Sequence, residues 1–393
     1  MVNNKDKSPL VKLSLVSLLI GGLSIGMTEF LMMGVLPDVS RTLNVSIPEA
    51  GHLISIYALG VVIGAPLMVG LAGNFPPKKV LIGLMMMVFV FNGLFAIAPT
   101  YGLLLTARFL AGLPHGAFFG MGAVVASRLA EPGREARSVS VMFAGLTVAN
   151  IIGVPLGTYI GHDFSWRFSF GLVALFALIA IFCIRLWLPP LKPTGATSFK
   201  DSLSIFGKAD LWMVIGISAI GTGGFFAWVS YIAPVMTHVA EFSGSMVTVI
   251  MVIIGLGMAA GNFIGGRLAD RYSPLVTTGV LLLTMMLSLT AFALIARYQL
   301  PIVAMTFITG AVGFAVIAPM QILIMQVAKG AEMLASSVLQ ATSNFGNALG
   351  AYLGGLPIAA GFGYTSPEYI GCGLAFLGLL FCLALYKRVA KRI

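Results

Sequence analysis

The sequence predicts an all-α membrane protein with twelve transmembrane helices in two pseudo-symmetric six-helix halves. Three observations predict it. The 393 residues are 59% hydrophobic and only 9% charged, with a mean hydropathy of +1.01; a soluble domain cannot place so much apolar surface, because its exterior must stay polar. Apolar windows of about 20 residues, the length that crosses a bilayer as a helix, recur along the whole chain. Small, amide and proline residues also repeat at an offset near 197 residues.

The windows place spans near 12–36, 48–72, 79–98, 101–127, 137–160, 165–188, 210–236, 244–268, 274–296, 300–326, 333–358 and 366–387. Short polar connections carry Pro76-Pro77, Pro132-Gly133 and Ser273-Pro274 between them, residues that stop one helix or start the next. The basic start (Lys5, Lys7, Lys12) leads into an apolar run too long for a signal-peptide core, so this run is read as the retained first span. The longest connection, 189–209, carries Lys192, Lys200 and Lys208 and divides an N-terminal half (1–188) from a C-terminal half (210–393). No connection is long enough to hold a soluble catalytic domain.

Charge sets the orientation. With both termini cytoplasmic, all of the 23 Lys and Arg residues except Arg41, Arg108, Arg167 and Arg297 fall on the inner side. That asymmetry accounts for the net charge of +10 without nucleic acid. It makes anionic headgroups of the inner leaflet the partners of the basic loops. Cys183, Cys372 and Cys382 lie in apolar runs and read as small hydrophobes rather than a disulfide framework.

The repeat runs through equivalent spans. Leu59-Gly60 and Gly64 recur as Leu256-Gly257 and Gly261; Asn150, Gly153 and Gly157 recur as Asn347, Gly350 and Gly354. Pro37 matches Pro234, and Phe109 with Gly112 matches Phe307 with Gly310. Two parallel six-helix repeats around a midplane site are a transporter architecture. The glycines permit close helix packing, and Pro155 adds a bend within span 5.

The repeat has one pronounced exception. Glu29 lies in a run, Leu13 to Leu36, with no other charge, and its counterpart is Phe226. An ionisable group at membrane depth is costly and by default functional. Arg108 in span 4 falls at a matching depth, so a pairing of the two across a cavity is sterically reasonable. The alternative is an ion pair that only locks two helices. His115 lies two turns from Arg108 on nearly the same face, placed to relay a proton or to donate to a solute hydroxyl, or simply to bond a neighbouring backbone. His52, His162 and His238 fall near span ends. Candidate cavity residues are Thr28, Asn150, Trp228, Tyr231, Thr306, Gln321, Gln340 and Asn344, with Thr222 and Thr309 in the same mid-span polar set. The 27 Phe and 21 Met supply adaptable apolar walls.

These motifs resemble the major facilitator superfamily over nearly the whole chain. Gly266-Arg267-Leu268-Ala269-Asp270-Arg271 is similar to its cytoplasmic loop motif. The first-half copy keeps Gly70, Lys78 and Lys79 but has Asn74 in place of the Asp and Pro77 in place of a Gly. Arg108-Phe109-Leu110-Ala111-Gly112 resembles the arginine motif of the drug/proton antiporter branch, and Gly153-Val154-Pro155-Leu156-Gly157 resembles the antiporter motif. Met27-Thr28-Glu29-Phe30, Ala50-Gly51-His52, Pro114-His115-Gly116 and Phe164-Ser165-Trp166-Arg167 resemble AraJ-type arabinose-efflux permeases. The resemblance implies a monomeric, proton-coupled antiporter of the bacterial inner membrane that exports sugar-like or amphipathic small molecules by alternating access. In it Glu29, Arg108 and His115 would carry the proton coupling.

No Walker-type loop, H-E-x-x-H or C-x-x-C occurs, so neither ATP coupling nor enzymatic chemistry is expected, and no cofactor or metal. The carboxylates other than Glu29 are read as lying at loops or helix ends. A proton symporter working in uptake is the alternative within the class; a channel or an intramembrane enzyme is the alternative outside it.

Overall fold

The computed structural model describes residues 4–72, 75–131, 135–192, 206–328 and 332–390, and every regular element among them is helical. The spans are Asn4–Gly34, Ile47–Ala72, Pro77–Ile97, Tyr101–Leu129, a fifth from Glu135 to Ile160, Trp166–Trp187, a seventh from Ala209 to His238, Gly244–Arg271, Pro274–Ile295, a tenth from Gln299 to Val327, Glu332–Ala359 and Ser366–Ala390. A short helix, Leu36–Leu43, follows the first. Spans 5 and 6 are nearly continuous; extended backbone at Ser165, whose hydroxyl accepts from the Arg167 N–H, separates them.

Burial sorts the helices. Span 1 is mostly enclosed, whereas spans 3, 9 and 12 leave most of their apolar windows outside. Val90 and Leu94, Val280 and Leu287, and Phe376 and Leu380 stand exposed, which forms a lipid-facing belt.

The glycine repeat becomes a repeated packing. A Cβ on Gly60 would fall 2.1 Å from the Phe109 carbonyl oxygen, and one on Gly257 would fall 2.4 Å from that of Phe307. Likewise Gly64 abuts the Leu113 carbonyl and Gly261 that of Ala311. Spans 2 and 4 thus touch backbone to backbone as spans 8 and 10 do. Span 5 lies on span 1 through Gly145, Gly153 and Gly157, and span 11 lies on span 7 through Gly346, Gly350 and Gly354. Pairs packed on small residues of this kind hold each half together.

The halves differ where span 5 widens into a π-helical stretch, Ala149–Gly153. There the Val154 N–H bonds Ala149 and not Asn150. The next donor along would be residue 155, a proline without an N–H. The Asn150 carbonyl therefore leaves its own helix and rests 2.2 Å from where a Cβ on Gly255 of span 8 would stand. Span 7 also contains a π stretch, Ile217–Gly221, and breaks again at Tyr231 (φ −115°, ψ 15°).

Candidate functional site

The first described span begins and the last one finishes at the same end of the bundle, where Arg388 of span 12 bonds Asp210 of span 7 at 2.7 Å. A cavity of about 780 Å³ opens at this terminal end between the halves. Phe119, Phe143, Leu146, Met258, Phe314 and Ile317 form much of its wall. Its polar groups are Ser127, Thr147, Asn150, Asn262, Gln321 and Gln340, with Arg128 in the last turn of span 4 at the mouth. No carboxylate lines it among the described residues.

Of the candidates read from sequence, Asn150, Gln321 and Gln340 line this cavity. Thr28, Trp228, Tyr231, Thr306 and Asn344 are buried in the helix packing instead. The Thr28 and Thr306 hydroxyls turn back to carbonyls of Ser24 and Ile302 on their own helices. The Asn344 amide does the same with Gln340, and Tyr231 donates to the Ala351 carbonyl. Asn262, Thr147 and Ser127 were not singled out, because isolated polar residues on glycine-rich helices carry no periodic signal. Of the loop motifs, Gly266 faces open space and Arg271 lies over Tyr272. Lys78 donates to the Leu188 carbonyl at the end of span 6, and Lys79 lies in the first turn of span 3. Asn74 lies outside the described residues.

The cavity ends at a closed zone near Glu29. Phe30 stacks on Phe226 with ring centroids 6.5 Å apart and meets Phe314 at 6.2 Å, which joins spans 1, 7 and 10. Glu29 is buried, and its Oε1 accepts from Asn347 Nδ2 at 3.4 Å, so span 1 of one half is bonded to span 11 of the other. Asn347 is the repeat counterpart of Asn150; the sequence marked it only as a repeat position.

Arg108 does not bond Glu29, and no ion pair joins them among the described residues. Its Nη1 donates to the Thr28 carbonyl at 2.8 Å and its Nε to the Leu53 carbonyl at 3.1 Å. The guanidinium lies 4.3 Å from the centre of the Tyr57 ring. Tyr57 in turn meets His115 Nδ1 through its hydroxyl at 2.9 Å. Arg108, Tyr57 and His115 are thus one buried chain beside Glu29, and Tyr57 is the member that sequence reasoning missed. An aromatic in an apolar span looks like any lipid-facing ring until its partners are placed.

Beyond Glu29 the halves meet along the end opposite the termini. His52 lies against Tyr352 with ring centroids 5.9 Å apart. The Tyr231 hydroxyl sits where a Cβ on either Gly51 or Gly355 would collide with it. His162, within 3.4 Å of Asp38, covers Gly244 at the start of span 8. His238 stacks on Tyr364. All three histidines are therefore packing residues at helix ends.

Two six-helix repeats enclosing one cavity, open at one end and sealed at the other, define a secondary transporter. The family model described as "Major Facilitator Superfamily" matches residues 18–332 and 229–392, and the chain belongs to that family. It is 36% identical over 382 residues to AraJ of Escherichia coli (strain K12), covering 97% of each chain. It is 40% identical over 366 residues to "Inner membrane transport protein YdhP" of the same organism, covering 93% of this chain and 94% of that one. The fold matches a solved D-xylose–proton symporter with a TM-score of 0.75 at 17% identity, over 95% of this chain and 96% of that one. It is a transporter and not an enzyme.

Proposed function

We propose that the protein is a proton-coupled antiporter of the bacterial inner membrane, acting as a monomer with both termini cytoplasmic, and that residues 1–188 and 210–393 rock about the seam between them. On this reading the form described here faces inward. The observation that carries it is the Glu29–Asn347 contact across that seam, beside a fixed Arg108. A charged Glu29 accepts from Asn347 and holds the outer side shut while solute enters from the cytoplasm. A proton arriving from outside removes the charge, weakens that bond and favours outward release; the proton leaves inward when the solute site refills. Arg108 keeps a positive field on Glu29, with Tyr57 and His115 holding its guanidinium in place. The likeness of Arg108–Gly112 and Gly153–Gly157 to antiporter motifs supports this direction of coupling.

The cavity supports the substrate class. Aromatic and thioether walls with dispersed amides suit a sugar-like or amphipathic small molecule, with orientation set by Asn150, Asn262, Gln321 and Gln340. With no acidic lining among the described residues, multiply charged cations are poor candidates.

The test is solute-driven dissipation of an imposed proton gradient in liposomes, with candidate sugars and amphipathic drugs as probes. Wild type should collapse the gradient with its solute, and Glu29→Gln should lose the coupled proton flux at least tenfold. Equal proton flux through both proteins would remove Glu29 from the coupling.

A further inference from the structure

A second carboxyl is buried in the C-terminal half, and the coupling scheme above does not use it. Glu368 belongs to the first turn of span 12, which the sequence reading treated as a helix end, yet its side chain is wholly enclosed (0% exposed). Among the described residues neither carboxyl oxygen has a hydrogen-bond partner outside Glu368 itself. Its position is fixed by close helix contact. Spans 7 and 12 run antiparallel, with Gly221 against Gly378 and Gly224 against Gly371 and Ala375. Continuing that register by one turn sets Trp228 level with Glu368. The Trp228 indole N–H and the Ser230 hydroxyl on that stretch are buried and lack partners too. Glu368 is thus a carboxyl held between two closely packed helices without a partner from either, costly where it stands; Trp228 and Ser230, two residues apart, face different sides of span 7.

Among the described residues no counter-charge relieves Glu368. Neither Gly223–Ser230 of span 7 nor span 9 contains an ionisable residue, and Asp210 of span 7 is paired with Arg388 at the far end of span 12. Span 11 offers Tyr352, which faces His52, and Glu332 at its opposite end. Tyr231 lies beside the neighbouring Pro367, and its hydroxyl is engaged by Ala351. Cys372 lies one turn along the same helix and is bonded to Thr290, and Tyr364, four residues before Glu368, stacks on His238 at the end of span 7. Two influences act on the carboxyl in opposite directions: enclosure favours the neutral acid, while the free N–H groups of a helix N-terminus favour the anion. Access to the outer side is short, because the exposed turn at Gly361–Gly363 lies only a few residues before Glu368. The break in span 7 at Tyr231 adjoins it as well.

We propose that Glu368 is a second proton-binding site, protonated while the outer end is closed and able to exchange its proton with the outer side when span 7 moves away from span 12. Opening would expose the carboxyl to water and let it ionise; closing would require it to take the proton back. The C-terminal half would then make its own proton-dependent contribution to closure, separate from that of Glu29.

The test is infrared difference spectroscopy on the full-length protein in liposomes, between acid and alkaline buffer, which reads the C=O stretch of protonated carboxylic acids. Wild type should show a pH-dependent band of which Glu368→Gln removes one component and Glu29→Gln a different one. Glu368→Asp should shift the component rather than delete it, which keeps the assignment testable if the Gln variant folds poorly. A spectrum unchanged in Glu368→Gln, or a Glu368 component that does not respond to pH, would overturn the proposal. The readout does not depend on solute flux, so a failure of the antiport reading in the gradient assay would leave this result to stand or fall separately.

Discussion

Arg108 shows how much a single residue depends on partners far away in sequence. Its guanidinium is committed to two backbone carbonyls and the Tyr57 ring from spans 1 and 2, with the Phe95 and Phe170 rings of spans 3 and 6 each 5.7 Å away. Lysine, a point charge without the planar fork, cannot bond both carbonyls while stacking on Tyr57. Arg108→Lys should therefore lower the unfolding midpoint in detergent by more than Tyr57→Phe does. The Tyr57→Phe variant removes one neutral bond to His115, worth about 0.5–1.5 kcal/mol; equal losses in the two variants would show that the fork is not what holds the arginine. Asp38, in the short helix beyond span 1, offers a pH-dependent case. Burial pushes its carboxyl above the usual range, against the opposing pull of His162 and Arg41. A carboxyl raised in this way weakens the fold above its folded value and stops doing so below its unfolded one. Asp38→Asn should accordingly be more stable than wild type near neutral pH, with the gap closing as the pH falls through that window. Parallel stability curves for the two proteins across that range would contradict this.

At the scale of the helix, the glycines divide into two kinds with opposite consequences. Gly261 is packed within one half, against the Ala311 carbonyl, whereas Gly255 touches Asn150 of the other half. Overpacking costs about 1–3 kcal/mol at either site. Gly261→Val has no escape and should lower thermal stability. Gly255→Leu can be relieved by parting the halves, so it should leave stability nearly intact while shifting the balance away from the outer-closed form by about five- to a hundredfold. Maleimide labelling of Gln340→Cys from the terminal side reads that balance, and unchanged labelling in Gly255→Leu would count against the reading. Much at this scale was legible beforehand: apolar windows placed all twelve helices, and every end but the start of the first, Asn4 and not residue 12, falls within a few residues. The π stretches were not. The one in span 5 arises from where Pro155 falls relative to donors on neighbouring turns and from contact with span 8, neither of which leaves a compositional mark. The burial of Glu368 was hidden for a related reason, because a glutamate two residues into a helix looks solvated until the opposing helix is set against it.

For the whole molecule, the proposed rocking of the halves makes transport depend on breaking the His52–Tyr352 and Gly51–Tyr231–Gly355 contacts. Joining cysteines at His52 and Tyr352 with a short cleavable bis-maleimide should stop solute flux, and cleavage should restore it. Flux that persists through the cross-link would mean that the halves need not part there. The sequence indicated two halves and a lone carboxylate but not which polar groups would share a cavity, since Asn150, Asn262 and Gln340 come from three helices joined only by tertiary packing.

The displaced carbonyl of Asn150 gives this arrangement a further property. One residue faces two directions: its side chain meets whatever occupies the cavity, while its main chain is the surface on which span 8 rests. A solute bound to that amide pulls on the same residue whose carbonyl supports Gly255. On the proposed cycle, occupancy and closure would meet at one residue, with no relay of intervening side chains, and a ligand too small to reach Asn150 would fill the chamber without being carried.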